Sequence, residues 1–314
     1  AAAVCVFIFV KGKDDIWIYG LVWSLATLIG NLSCVPGLRS RVRYMRVPLR
    51  ESLKHLKPSA VLFISVIAVS VYRTMDKVMV SSLAGLEQNG QYENAEKIIY
   101  CLSGFISAVG TVMMPKISHM RQQGRIAEIR EHIDRSMNLI LCMVCALAFG
   151  VASIADRFSL LFYGPDFAEA GRLMAPLAFT LIMIGFANVV RTQWVLPQGR
   201  DEIFVRSVCT GAVVNLIANL LLIPRLRAMG AVIGTLMAEM TVPTVQYLLL
   251  RKELPYRRFL GYTGIYMAIG TVMLLCVRGV GLILPWRGWP GLGIQVAAGI
   301  LVYGALTLAY RSEE

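Results

Sequence analysis

Long apolar runs separated by short polar breaks recur along the chain, at about 16–38, 59–81, 95–115, 136–156, 173–195, 203–223, 229–250, 259–277 and 291–310. Each is close to the roughly 20 residues that an α-helix needs to cross a bilayer. The short alternating segments of a membrane β-barrel are absent, and in lipid only helices and closed barrels satisfy the backbone. The pattern predicts an all-α polytopic membrane protein. The opening decapeptide "AAAVCVFIFV" has no Met and no basic flank and is too short to span. It reads as part of a helix in a longer protein, of which this chain is expected to be the C-terminal part.

The polar breaks are not equivalent. Segments 39–57, 116–135, 195–206, 251–258 and the tail hold 19 of the 31 Lys and Arg, and "RSRVRYMRVPLRESLKHLK" alone holds seven. The alternate breaks hold eight, with none in "LAGLEQNGQYEN". This alternation places the 39–57 side and the C-terminus in the cytosol, with the 82–94 loop outside. The net charge of +12 therefore reflects topology rather than nucleic-acid binding. Arg225, Arg227, Arg278 and Arg287 on the outer side are the weak points. Segment 116–135, with Ile126, Ile129 and Ile133 in helical spacing, is either an amphipathic helix on the inner surface or a solvated connector.

Ionisable residues inside apolar runs are the candidate chemistry. In "SVIAVSVYRTMDKVMVSSLAG" Arg73 lies about 21 Å from the cytoplasmic end of its span. Asp76 and Lys77 follow at i+3 and i+4, on the same face. A charge near the bilayer centre costs about 2.5–3.5 kcal/mol, so three on one face require a protein interior or a wet cavity. Either Asp76 neutralises the two cations and the cluster only joins helices, or the surplus positive charge receives an anionic ligand. The next span opens with Glu93, Glu96 and Lys97 in its first turn or so. The acids suit a helix N-terminus, and Lys97 is a further candidate cation for the cavity. Glu239 is mid-span, as a proton site or a neutral hydrogen-bonded acid. Arg191 is read as snorkelling from near the cytoplasmic end. Asn215 and Asn219 are read as interhelical hydrogen-bond formers.

Nothing in the sequence points to an enzyme. G-x-S-x-G, H-E-x-x-H and the P-loop are all missing. Cys142-x-x-Cys145 has neither a second Cys pair nor a His pair near it, and reads as small hydrophobes within a helix. Neither a metal nor a cofactor is expected.

The stretch "AVSVYRTMDKVMVSSLAGLEQNGQYENAEKI" resembles the seventh-helix region of bacterial polysaccharide flippases of the Wzx type. These lie within the multidrug/oligosaccharidyl-lipid/polysaccharide exporter superfamily. The resemblance continues through "GTVMMPKISHM", "LFYGPDFAEAG", "GFANVVRTQWVLPQGRDEIF" and "VVNLIANLLLIPRLRAMGAVIGTLMAEM", covering residues 60–250. It implies a MATE-like two-bundle transporter fold with the N-terminal bundle mostly missing. On that template 1–38 closes the first bundle, 39–57 is a basic linker, 58–250 is the second six-helix bundle, and 251–314 adds two helices and a tail.

The resemblance further implies a flippase in the bacterial inner membrane. It would carry undecaprenyl-pyrophosphate-linked oligosaccharide units by alternating access, alongside polysaccharide assembly proteins. Arg73, Lys77 and Lys97 would then bind the anionic headgroup. Charge spacing, rather than any family motif, suggests Asp76, Glu96 and Glu239 as candidates for coupling to H⁺ or Na⁺. A drug or small-cation antiporter of the same superfamily is the nearest alternative, and a membrane-embedded glycan polymerase or ligase a more distant one.

Overall fold

The computed structural model describes residues 2–10, 15–33, 35–39, 48, 51, 53, 56, 70, 74–283 and 288–313. Among these residues all regular structure is helical, and the chain divides into two compact units, 1–62 and 63–314. In the first unit α1 (Ala2–Phe9) packs on α2 (Ile16–Ser33), which leads into the short α3 (Val35–Arg39). Helix α2 turns Trp17, Trp23, Leu28 and Ile29 outward, as a helix with lipid for solvent can.

The second unit holds the candidate chemistry. Helix α4 (74–84) meets α5 (Leu86–Gln122) at Gly85, whose φ of 99° lies where only glycine is unstrained. Helix α6 (Ile126–Phe162) follows a tight turn at Gly124. It buries Ile129, Ile133, Met137, Ile140, Val144 and Ala148 along one stripe, the i, i+3/i+4 pattern of a core-facing helix. That stripe is the centre of the unit, because α7 (Ala168–Leu177), α8 (Thr180–Val190), α11 (Tyr256–Ile283) and α12 (Trp289–Glu313) all pack on it.

Three sequence expectations change here. Helices α5 and α6 are each 37 residues long, about 55 Å at 1.5 Å per residue, well over a hydrocarbon core of roughly 30 Å. The "LAGLEQNGQYEN" segment is therefore not a loop. It is helical on both sides of Gly85, and Glu93, Glu96 and Lys97 lie beyond the first turn of α5. Segment 116–135 is likewise not a surface helix. Ile129 and Ile133 are buried because α6 continues straight from that segment into the core. Finally, 173–195 is not one straight span: a 3₁₀ turn and α7 (165–177) meet α8 and its extension (180–198) at a bend of 42°. Pro176, in the last turn of α7, removes a backbone donor there.

Helices α11 and α12 are pinned to α6 through polar contacts as well as apolar ones. Tyr266 donates to Asn138 at 2.6 Å, Tyr303 to the Cys142 carbonyl at 2.7 Å, and Arg157 to Gln295 at 3.0 Å. Gln295 in turn donates to the Val277 carbonyl at 3.1 Å. Arg278, awkward for the charge alternation, donates to the Ala152 carbonyl at 3.3 Å. A guanidinium held in this way says little about sidedness.

Helices α9 (Asp201–Leu226) and α10 (Ala228–Leu250) form a close antiparallel pair joined at Arg227, the one non-glycine residue with positive φ among those described. Glycines set their separation. A Cβ on Gly230 would meet the Leu222 carbonyl carbon at 2.5 Å, and one on Gly211 would meet the Ala238 carbonyl oxygen at 3.2 Å. The "GAVIG" run, Gly230 to Gly234, is a small-xxx-small contact of the kind that draws membrane helices together. Because the atoms facing Gly230 are backbone, Gly230→Ala is expected to destabilise the protein by about 1–3 kcal/mol. Gly261→Ala, with nothing within 4 Å, should leave stability unchanged. Thermal melting of both variants in the same detergent checks this.

Candidate functional site

Close approach of α9 and α10 places two polar side chains beside Asp76, which is only 4% exposed. Asn219 Nδ2 donates to Asp76 Oδ1 at 2.6 Å, and Thr235 Oγ1 donates to Oδ2 at 2.9 Å. Tyr92 Oη, from α5, donates to the same Oδ2 at 3.1 Å and lies 3.1 Å from Thr235 Oγ1. The second amide hydrogen of Asn219 goes to Asn215 Oδ1 at 3.2 Å. The carboxylate is thus held by three neutral donors from three helices. Asn219 Oδ1 sits against Gly234, with no hydrogen-bond donor among the described residues.

Asp76 opens onto a cavity of about 190 Å³ between α4, α5, α8, α9 and α10. Glu96, Glu239, Arg191, Asn188 and Tyr100 also line it. All three carboxylates singled out in the sequence therefore share one space. The cations are distributed differently. Lys77 Nζ lies 2.9 Å from Glu96 Oε2. Lys97 pairs with Glu93 at 3.4 Å, with its side chain 60% exposed and outside the cavity lining. Arg73 lies outside the described residues. Asp76 is accordingly not the counter-charge of Lys77: neutral donors surround the aspartate, and the lysine has its own glutamate.

Arg191 does not snorkel. It begins a π-helical turn, Arg191–Val195, whose wider winding follows directly on α8. The guanidinium carbon stands 5.0 Å from the Phe204 ring centre, at the cavity wall. A π turn is a frequent companion of functional sites, but it has no signature in a single sequence. Tyr92 and Thr235 were also missed as members of the site. Neither is ionised, and only the helix packing brings them to Asp76.

The same broken segment reaches the basic end of the unit. Trp194 Nε1 donates to Glu253 Oε2 at 2.9 Å, and Arg200 Nη1 donates to both oxygens of Glu253 at 2.9 and 2.8 Å. Partial burial would raise the Glu253 carboxyl, but the hydrogen bonds from Arg200 and Trp194, with the fields of Arg200 and Arg130, outweigh it and hold it below the ordinary value of 4.5. A depressed acid contributes stability above its unfolded pKa and loses it as pH falls through the folded one. Melting curves are therefore expected to show wild type losing stability relative to Glu253→Gln as pH drops below about 4.5.

The comparisons with known proteins agree with this architecture. Over 99% of the chain, and 66% of the other, the fold superposes on the lipid II flippase MurJ in its inward closed conformation, with a TM-score of 0.83 at 15% identity. That likeness defines the class: a polytopic helical membrane protein with a MurJ-like flippase fold. Residues 1–121 match the family model described as polysaccharide biosynthesis protein. A putative O-antigen transporter of Shigella dysenteriae is 22% identical over 243 residues, which is 76% of this chain and 60% of that protein. A probable low-salt glycan biosynthesis flippase of Haloferax volcanii is 23% identical over 248 residues, 76% of this chain and 51% of that one. The chain thus spans between about half and three-fifths of the curated relatives it matches. These matches bear out the resemblance read from the sequence.

Removing the Asp76 carboxylate should expose the cost of the donors around it. Asp76→Ala strands Asn219, Thr235 and Tyr92 and is expected to destabilise by about 1–3 kcal/mol. Asp76→Asn keeps an acceptor and should melt close to wild type. Denaturation of the two variants in detergent distinguishes them.

Proposed function

We propose that this chain is part of a flippase that moves undecaprenyl-pyrophosphate-linked oligosaccharide units across the bacterial inner membrane by alternating access. The product would serve the building of an O-antigen, capsule or exopolysaccharide. The observation that carries the reading is a charged cavity inside a membrane fold shared with a lipid flippase. The relatives' names, O-antigen transporter and glycan biosynthesis flippase, supply the substrate class. No covalent step is needed, so the protein is a transporter rather than an enzyme. The charge alternation supports a cytoplasmic C-terminus.

In this reading the cavity has two tasks. Arg73, Lys77 and, farther along the next helix, Lys97 meet the anionic headgroup, replacing water around the pyrophosphate. Lys77 is held by Glu96 and exchanges that partner for the substrate. Asp76, with Thr235 and Asn219, takes up a proton or Na⁺, and Glu96 and Glu239 extend the acidic wall. Loading Asp76 neutralises a charge one residue from Lys77, which links the two events electrostatically.

One feature favours the antiporter alternative. Among the described residues, the ionisable groups lining the cavity are three carboxyls, Asp76, Glu96 and Glu239, against the single guanidinium of Arg191, a balance suited to cations. Complementation separates the two readings. The full-length protein is placed in a strain lacking its own flippase, and surface polysaccharide is scored with inner-leaflet lipid-linked intermediate. At matched membrane levels Arg73→Ala, Lys77→Ala and Asp76→Asn are each expected to cut surface polysaccharide at least tenfold and accumulate the intermediate. Normal transport by both cation variants would sink the headgroup assignment. Wild type that fails to restore polysaccharide but exports cationic dyes would establish the antiporter.

A further inference from the structure

A second cavity, of about 320 Å³, lies at the basic end of the unit, between the start of α6 and the 251–255 connection from α10 to α11. Six charged residues line it: Arg130, Glu131, Asp134, Lys252, Glu253 and Arg258. By count the charges cancel, but by pairing they do not. Glu253 is taken by Arg200 and Trp194. Glu131 pairs with Arg135, one turn along α6. Asp134 accepts from Tyr262 at 3.2 Å and has Arg258 at 3.8 Å.

Every acid thus has a donor, while Arg130, which acts on Glu253 through its field alone, and Lys252 have no carboxylate within salt-bridge distance among the described residues. Arg130 is further fixed in place, its guanidinium carbon 5.8 Å from the centre of the Trp194 ring. A guanidinium stacked on an aromatic has its N–H edge free to donate.

We propose that this pocket is a binding site for a phosphate-bearing anion at the membrane surface, held between the Arg130 guanidinium and the Lys252 ammonium, with Arg258 released from Asp134 to complete it. A planar guanidinium and a point-charge ammonium on one oxyanion form a strong charge-assisted set. Basic pockets between helices at an interface suit anionic lipid headgroups, and a soluble phosphate offers the same chemistry. The site is separate from the Asp76 cavity and does not depend on the flippase reading.

The test uses the purified chain in neutral detergent. Binding is followed by native mass spectrometry and by the rise in melting temperature, with phosphatidylglycerol, phosphatidylcholine and inorganic phosphate as probes. Arg130→Gln/Lys252→Gln is compared with Arg125→Gln/Arg206→Gln, which removes the same charge from exposed pairs outside the pocket. The expected result is at least tenfold weaker phosphatidylglycerol binding in the first variant and under twofold in the second. Zwitterionic phosphatidylcholine should bind at least tenfold more weakly than phosphatidylglycerol to wild type. Saturation by inorganic phosphate, abolished in the first variant only, would identify a small soluble anion as the occupant. Equal losses in the two variants, or no preference for any of these anions over phosphatidylcholine, would overturn the proposal. Arg130→Lys/Lys252→Arg restores binding if charge at the pocket, rather than local folding, is responsible.

Discussion

A carboxylate buried at membrane depth is tolerable only if its lone pairs are answered, and much of the second unit's geometry follows from answering those of Asp76. Water cannot do so in hydrocarbon, and an ion pair would put a second charge in the same place. Asn219, Thr235 and Tyr92 provide neutral donors instead. Two of them come from α9 and α10, whose backbones approach closely only because Gly211, Gly230 and Gly234 lack side chains. At Gly234 a Cβ would collide with the Asn219 amide itself, so the small residue and the polar one are parts of one arrangement. Among the described residues, side-chain-free packing and neutral donors are what hold this carboxylate.

Solving the aspartate with neutral groups leaves the other charges available for separate work. Lys77 is adjacent in sequence yet is matched by Glu96 across the α4–α5 contact. Each pair can therefore change state without stranding the other. A proton or cation at Asp76 alters the field at Lys77 without breaking a direct bond between them. At mid-membrane separations of a few ångströms such fields are strong, because little water screens them. The separation of roles also accounts for a cavity whose wall is acidic while its neighbouring helix end carries lysine.

Seven of the apolar runs return as straight spans and that at 173–195 as a bent one, while most of 59–81 lies outside the described residues; these runs and the intramembrane acids were legible because hydropathy and the cost of buried charge are one-dimensional signals. Asp76, Glu96 and Glu239 stood out for that reason and do share one cavity. Pairing was not legible. Within its own helix the sequence offers Lys77 only Asp76 as a neighbouring acid, whereas its partner Glu96 comes from the next helix. The start of α5 was misplaced because "LEQNGQYEN" is polar, and polarity was taken for a loop. The helix instead extends past the membrane and buries Gln88 and Gln91 against the α7 region, where they bond Glu169 and the Asp166 carbonyl. Arg191 and Trp194 were opaque for a different reason: their positions depend on a π turn that no residue pattern announces.

That turn gives the bent helix its place in the molecule. Within ten residues it carries Arg191 at the cavity wall, Trp194 under the Arg130 guanidinium, and Arg200 on Glu253. Most of the surrounding unit is stiff. Helices α11 and α12 are pinned to α6 by buried tyrosine, glutamine and arginine contacts, and α9 is locked to α10 by glycine packing. The 191–198 segment differs from both: its winding changes from π to 3₁₀ before ending at Gly199, whose φ of 68° marks a left-handed stop. Winding defects concentrate conformational freedom where the i→i−4 ladder is already interrupted. Here that segment runs from the acidic cavity wall at Arg191 to the charged pocket beside Arg130, a single short stretch of chain that contributes to both places.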